Sequence, residues 1–210
     1  MITLKKGSKG EDVKQLQILL GIKADGIFGK QTEQAVIEFQ KSKGLVADGI
    51  VGNKTWTALG IENTTTNIDK YRQSKRRIDE IIIHCSATPE GKDYTVADIR
   101  KWHLARGFND IGYHFVIYRD GSIHKGRALT STGAHCTNHN THSIGICYIG
   151  GCESDGKTPK DTRTDKQKIS LKQLVNDLVS VYPNVTIHGH REFANKACPS
   201  FDVQKEFGKK

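Results

Sequence analysis

Three side chains that commonly bind zinc stand out in this sequence. His84 ends the apolar run in EIIIHCSATP, and His190 and Cys198 lie eight residues apart in HGHREFANKACPSFD. Two imidazoles and a thiolate suit a catalytic zinc ion, which keeps a fourth position for water. Lys196 lies beside this set in sequence and supplies a cation. We therefore expect a hydrolytic metal site, provided that the three side chains meet in space.

The elements around these residues alternate between strands and helices. Apolar or alternating patterns predict strands at residues 81–83, 112–118, 143–149 and 185–187, and Arg119-Asp120-Gly121-Ser122 predicts a hairpin turn. Helical spacing covers residues 96–105, with Thr95 as N-cap, and residues 171–179. The polar residues 152–168 predict an exposed loop. This order indicates an α/β fold, with a mixed central sheet flanked by helices.

The first 60 residues contain an internal repeat and predict a small three-helix domain. ADGIFGKQT at residues 24–32 returns as ADGIVGNKT at residues 47–55. Each Asp-Gly predicts a turn that leads into a helix, and Val13, Leu16 and Leu20 form the apolar stripe of an earlier helix. Residues 61–77 lack apolar periodicity and predict a linker, whose basic residues 75–77 are typical of a solvated charge run.

The doubled motif, DGIFG…T…AV…FQ…GL followed by DGIVG…TW…L, resembles the peptidoglycan-binding domain type 1 family. The resemblance covers residues 1–60 and implies a wall-anchoring module without catalytic activity. The pattern selects no sugar-contacting residue. Gln40, Asp25 and Asp48 are predicted to stabilise turns or helix ends.

Five motifs follow one another in the rest of the chain: IIIHCSAT, GYHFVIYRDG, GAH, SIGIC and GHRE…KACPSFD. Through them, about residues 78–207 resemble the zinc-dependent N-acetylmuramoyl-L-alanine amidase type 2 family, in its phage-lysozyme-like branch. The family hydrolyses the amide between the lactyl group of N-acetylmuramic acid and L-alanine. The resemblance thus implies a zinc amidase domain at residues 78–210.

Matching positions extend the resemblance to individual residues. It implies His84, His190 and Cys198 as the zinc ligands, Tyr113 and Lys196 as the catalytic pair, and His135 as a substrate contact. Which of Tyr113 and Lys196 acts as acid and which as electrostatic clamp stays open. His188 is a rival ligand, but Gly189-His190-Arg191 matches the family pattern and favours His190.

Other histidines have simpler interpretations. His103, His114 and His124 are predicted to be structural, and His139 and His142 to belong to a polar loop. His142 departs from the family branch, which often has Asn before the Ser-Ile-Gly strand.

Composition limits the function classes. The net charge of +9 and the pI near 9.3 favour polyanionic partners. Basic residues are scattered rather than arranged in one stripe, so we expect no nucleic-acid binding. No apolar run reaches the roughly 18 residues of a membrane span, and the first residues lack a signal-peptide pattern. Five cysteines without a CxxC motif predict free thiols, with Cys198 the exception.

These observations predict a monomeric peptidoglycan hydrolase. We expect an endolysin made in the host cytoplasm that acts on the cell wall after release. The alternative is a non-catalytic peptidoglycan recognition protein on the same fold. Such relatives typically lack the thiol ligand, which is present here as Cys198.

Overall fold

A computed structural model describes residues 2–61 and 75–208 of the chain. The chain divides into two compact units, Met1–Asn67 and Ile68–Lys210. Most of the predicted linker, residues 62–74, lies outside the described residues. The predicted domain boundaries therefore stay a prediction.

In the N-terminal unit, residues 2–61 form three helices: α1 (Glu11–Leu20), α2 (Lys30–Ser42) and α3 (Asn53–Ala58). Gly21 ends α1 in the left-handed conformation, with φ of 71°, which glycine adopts at little cost. The apolar side chains of Leu16, Phe28, Val36 and Trp56 are buried in the core of this unit. The predicted three-helix architecture is confirmed.

The sequence repeat is also a repeat of hydrogen bonds around two buried glutamines. Gln17 Nε2 donates to Asp25 Oδ1 (2.8 Å) and Thr32 Oγ1 (3.0 Å), and Gln17 Oε1 accepts from the Gly26 amide (2.8 Å). The second copy repeats these contacts with Gln40, Asp48, Thr55 and the Gly49 amide, at 3.1, 3.2 and 3.0 Å. These contacts agree with the structural role predicted for Gln40, Asp25 and Asp48.

The C-terminal unit is built on a five-stranded mixed sheet. Its strands are β1 (Glu80–Cys85), β3 (Phe115–Ile117), β4 (Ile123–Lys125), β5 (Ser143–Tyr148) and β7 (Thr186–Gly189), in the order β4-β3-β5-β1-β7. Only the β3–β4 hairpin is antiparallel. Two short strands, β2 (Thr88–Pro89) and β6 (Gly151–Cys152), pair separately.

Helices cover both faces of this sheet. The long helix α5 (Asp165–Val181) packs Leu171, Leu174 and Leu178 against one face, which carries Ile81, Ile83, Ile144 and Ile146. Helix α4 (Val96–Ala105) packs Ile99 against Val116 and Cys147 on the other face, and the short α6 (Val203–Phe207) follows near the C-terminus. The predicted α/β class is confirmed. Among the described residues, none of the helices combines the length and apolarity of a membrane span.

Two predicted boundaries differ from the structure by three residues or more. Regular pairing of β3 begins only at Phe115, not at residue 112, because the backbone of residues 112–114 bends and closes on neighbouring segments. A Cβ on Gly112 would collide with the carbonyl of Ala134. The predicted loop 152–168 is shorter than expected, since Thr164 caps α5 through the Gln167 amide. Arg163 within it is buried against Asp161 and Glu206.

Candidate metal and catalytic site

Strand register brings His190 beside His84. In the parallel β1–β7 pair, Ile82 is opposite His188 and Ile83 is opposite Gly189, so His84 and His190 are the next residues on their chains. The two ring centroids lie 4.6 Å apart. The site thus forms at the carboxyl ends of two neighbouring parallel strands. Pairing alone explains why residues so distant in sequence meet.

A tight loop returns Cys198 to the same point. The Arg191 amide donates to the Cys198 carbonyl (2.7 Å), which closes the segment after His190. The Cys85 amide then donates to Cys198 Sγ at 3.3 Å. Cys198 Sγ lies 3.8 Å from Nδ1 of His84. Backbone contacts, rather than helical spacing, therefore position the thiol.

The donor set fits zinc by chemistry and by distance. One ligand atom each from His84, His190 and Cys198 lie within 4.8 Å of one another. A tetrahedral zinc ion with standard bond lengths needs N and S ligands about 3.6 Å apart, close to the 3.8 Å separation between His84 Nδ1 and Cys198 Sγ. The three residues are therefore of the right type and close enough together to hold a zinc ion.

Electrostatics keep both imidazoles in the form that binds a metal. Burial lowers the pKa of His84 well below its ordinary value, and the charges of His135, His190 and Lys196 act in the same direction. Burial and the Lys196 charge also lower the pKa of His190. Neutral imidazole is the ligand form, so neither group must lose a proton near neutral pH. A hydrogen bond with Cys85 raises the pKa of the Cys198 thiol, so this ligand must release its proton when a cation binds.

His135 lies behind His84. Nε2 of His84 is 3.0 Å from Nδ1 of His135, and Nε2 of His135 is 3.4 Å from the Ser143 hydroxyl. Only 9% of His135 is exposed. This placement favours orientation of the His84 ring, with Nδ1 directed towards Cys198. The substrate contact implied by the family resemblance stays a prediction.

Tyr113 contacts the donor group, and Lys196 contributes its charge there. The Tyr113 ring is 5.1 Å from the His84 ring and 5.3 Å from that of His103. Burial raises the pKa of Tyr113 well above its ordinary value, so the phenol stays protonated and can donate a hydrogen bond. Lys196 is exposed, and its charge helps to lower the pKa of both His84 and His190. Their catalytic roles stay predictions.

The remaining histidines have partners of their own. His188, the rival ligand, is in β7, where it lies 2.8 Å from Glu192 and 2.9 Å from Thr186, and it is not part of the donor group. His103 accepts from the Gly112 amide (2.8 Å) and His114 from the Gly145 amide (3.0 Å), both through Nδ1. His124 stacks on Tyr118 with centroids 3.7 Å apart.

Sequence reasoning missed two features of this unit. Arg76, predicted in a solvated charge run, donates to the carbonyls of Leu129 (3.0 Å) and Thr141 (3.1 Å) and lies 3.1 Å from His114 Nε2. Glu80 lies 2.8 Å from His139. Neither carries a local signal, because each depends on partners more than 35 residues away.

A mixed sheet with a His, His, Cys donor group at the carboxyl ends of two strands defines the class, an α/β protein with a candidate catalytic metal site. A family model described as N-acetylmuramoyl-L-alanine amidase matches residues 74–201, and a peptidoglycan binding domain model matches residues 9–59. The chain belongs to this amidase family and carries a peptidoglycan-binding domain before it. It is a peptidoglycan hydrolase, as the sequence predicted.

Individual relatives agree with this assignment. The endolysin of Escherichia phage T7 is 40% identical over 136 residues, which are 65% of this chain and 87% of that protein. The amidase LysC from Clostridium intestinale URNW superimposes with a TM-score of 0.55 at 25% identity, over 67% of this chain and 89% of that one. Wild-type Drosophila PGRP-LB gives a TM-score of 0.55 at 28% identity, over 65% of this chain and 85% of that one.

Proposed function

We propose that this protein is a zinc-dependent endolysin that hydrolyses the amide between N-acetylmuramic acid and L-alanine. The observation that carries the proposal is the meeting of His84, His190 and Cys198, whose donor atoms lie within 4.8 Å. The same place also holds the half-buried phenol of Tyr113.

His84, His190 and Cys198 would hold the zinc ion. When bound, zinc supplies Lewis-acid chemistry that lowers the pKa of a water molecule towards neutrality. His135 would fix the His84 ring through the 3.0 Å contact at Nε2, so that Nδ1 stays directed at the metal position.

Tyr113 and Lys196 would act on the charge that develops at the scissile carbonyl. The protonated phenol of Tyr113 would donate a hydrogen bond to the tetrahedral oxyanion, and the Lys196 ammonium would stabilise the same charge from the exposed side. One of the two would also pass a proton to the leaving amine of L-alanine. Because the pKa of Tyr113 is raised by burial, we expect the phenol to be the hydrogen-bond donor across the working pH range.

The N-terminal unit would hold the protein on its insoluble substrate. Binding of this unit to peptidoglycan raises the local concentration of cleavable bonds around the catalytic unit. We further propose that the protein acts as a monomer, does not bind nucleic acid, and is made in the host cytoplasm before it reaches the wall. Gel filtration tests the monomeric state. A comparison of lysis between intact and permeabilised cells tests whether the protein must be released to reach the wall.

The decisive experiment measures bond cleavage and metal content together. Purified walls are digested with the wild type and with Cys198→Ser, and products are scored for new L-alanine amino termini and for new reducing ends. We expect new L-alanine termini only, and loss of both zinc and cleavage in Cys198→Ser. Cys152→Ser, which alters a buried cysteine outside the donor group, is the control and should keep both.

Two further variants separate chemistry from metal binding. Tyr113→Phe and Lys196→Ala should each lower kcat by about 100-fold, the range for one oxyanion donor, with zinc content unchanged. The competing function is wall recognition without cleavage, by a non-catalytic protein on the same fold. Wall binding by a zinc-loaded wild type that releases no L-alanine termini would establish that function instead.

A further inference from the structure

A second group of metal-binding side chains lies at the start of β1, at the opposite end from His84. Oε2 of Glu80 is 2.8 Å from Nδ1 of His139 and 3.5 Å from Nε2 of His142. One donor atom from each of the three lies within 4.8 Å of the others. We propose that Glu80, His139 and His142 form a second zinc site, separate from the catalytic centre.

The donor set suits zinc on chemical grounds. Carboxylate oxygen and imidazole nitrogen are standard zinc ligands, and two histidines with one glutamate leave a position for water. The side chains of Glu80, His139 and His142 are 15%, 24% and 33% exposed. They are shielded enough to hold an ion and open enough for it to enter from solvent.

The surrounding contacts hold these donors in place. The carbonyl of His142 accepts from the amides of Asp79 (2.8 Å) and Glu80 (3.3 Å), which ties the loop to the start of β1. The Thr141 hydroxyl lies 3.2 Å from Nδ1 of His142, so the other ring nitrogen is directed at Glu80. A partner on the far nitrogen is the usual means of orienting a histidine ligand.

The proposed site is close to the catalytic loop yet distinct from it. Glu80 and His84 lie on the same face of β1, about 13 Å apart at the usual rise of a strand. Phe193, from the loop between His190 and Cys198, stacks on His139 with centroids 3.9 Å apart. Phe193 also contacts His188, at 4.9 Å between centroids. The second ion would thus brace one side of the loop that carries the catalytic donors.

Zinc stoichiometry tests the proposal. The full chain is stripped with a chelator, reloaded with zinc, freed of excess metal and analysed by plasma mass spectrometry. We expect two zinc ions per wild-type chain and one in His142→Asn. His124→Asn, which alters a half-buried histidine outside both groups, is the matched control and should keep two. Glu80→Gln keeps an acceptor for His139 but loses the negative charge, and this variant should also bind one zinc ion.

Variants of the first site keep the two proposals apart. Cys198→Ser should retain one zinc, and Cys198→Ser with His142→Asn should retain none. Cobalt in place of zinc should show thiolate charge-transfer absorption in His142→Asn but not in Cys198→Ser. A wild type whose single zinc is retained in a folded His142→Asn, or a folded His142→Asn that still binds two, overturns the second site. Neither result bears on cleavage by the catalytic centre.

Discussion

His190 follows Gly189, the residue that pairs with Ile83, and its ring centroid lies 4.6 Å from that of His84. The geometry of the donor group therefore depends on strand register. A shift of one residue would direct His190 to the opposite face of the sheet. A substitution at Gly189 tests the packing that fixes this register.

Gly189→Ala should weaken zinc binding without changing any ligand. A Cβ at this position would lie 2.9 Å from Cδ of Pro199 and 3.1 Å from Cγ2 of Val203. Pro199 adjoins Cys198, so relief of this contact moves the thiol. We expect zinc affinity to fall by about 10-fold or more, as for other changes that disturb ligand positioning. Competition with a chromogenic chelator measures it.

The matched control for Gly189→Ala is Gly29→Ala in the other unit, where nothing lies within 4 Å of the added methyl. Gly29→Ala should leave zinc affinity unchanged. Equal affinity in wild type and Gly189→Ala would contradict the proposed coupling between strand packing and thiol position.

His135→Ala should lower zinc affinity by about 10-fold to 100-fold, because it removes the partner that orients the His84 ring. His135→Asn should restore most of this loss, since an Asn oxygen can replace the ring Nδ1 that faces His84 at 3.0 Å. Zinc affinity is measured for both variants by chelator competition. If His135→Ala and His135→Asn lose the same zinc affinity, His135 acts through packing alone.

Stability of the zinc-free catalytic unit should fall as the pH drops below the ordinary histidine pKa. Burial, with smaller effects of Arg106 and Arg127, lowers the pKa of His103 to about 4 in the folded protein. Between the ordinary pKa of 6.5 and about 4 the unfolded state binds the extra proton. The free energy of unfolding is therefore highest above this window and declines by up to about 1.4 kcal/mol per pH unit for this group.

His103→Asn tests this pH dependence. Its side-chain oxygen can accept from the Gly112 amide, as Nδ1 of His103 does at 2.8 Å, but it does not titrate. Urea unfolding at pH 7 and pH 5 with a chelator present, followed by Trp102 fluorescence in a Trp56→Phe background, should show a smaller difference in the variant. His114, whose burial also lowers its pKa to about 4, keeps part of the slope. An unchanged slope would exclude His103 as a contributor.

Gln40→Ala should destabilise the N-terminal unit by about 2–4 kcal/mol, because the buried Gly49 amide loses its acceptor and the Thr55 hydroxyl loses the donor from Gln40. Gln34→Ala, an exposed position on the same helix, should cost less than about 0.5 kcal/mol. Urea unfolding followed by Trp56 fluorescence in a Trp102→Phe background measures both. Similar losses in the two variants would contradict the structural role of Gln40.

The sequence by itself determined much of the architecture. Apolar runs predicted β1 and β5, helical spacing with Thr95 as N-cap predicted α4, and the repeated DGI motif predicted the three-helix unit. These signals are local, because strand and helix periodicity and turn residues act over a few neighbours. Residue types also limited the metal donors to a few histidines and one loop cysteine.

Only the tertiary structure decided which of those residues meet. His188 and His190 differ by two positions, yet pairing of β7 with β1 and the Glu192 contact assign them different surroundings. Arg76 was predicted to be solvated, but its guanidinium donates to carbonyls of distant loops. Glu80, His139 and His142 came together for the same reason. Contacts between residues far apart in sequence depend on strand register and loop packing, and these are set by the free energy of the whole fold rather than by any local pattern.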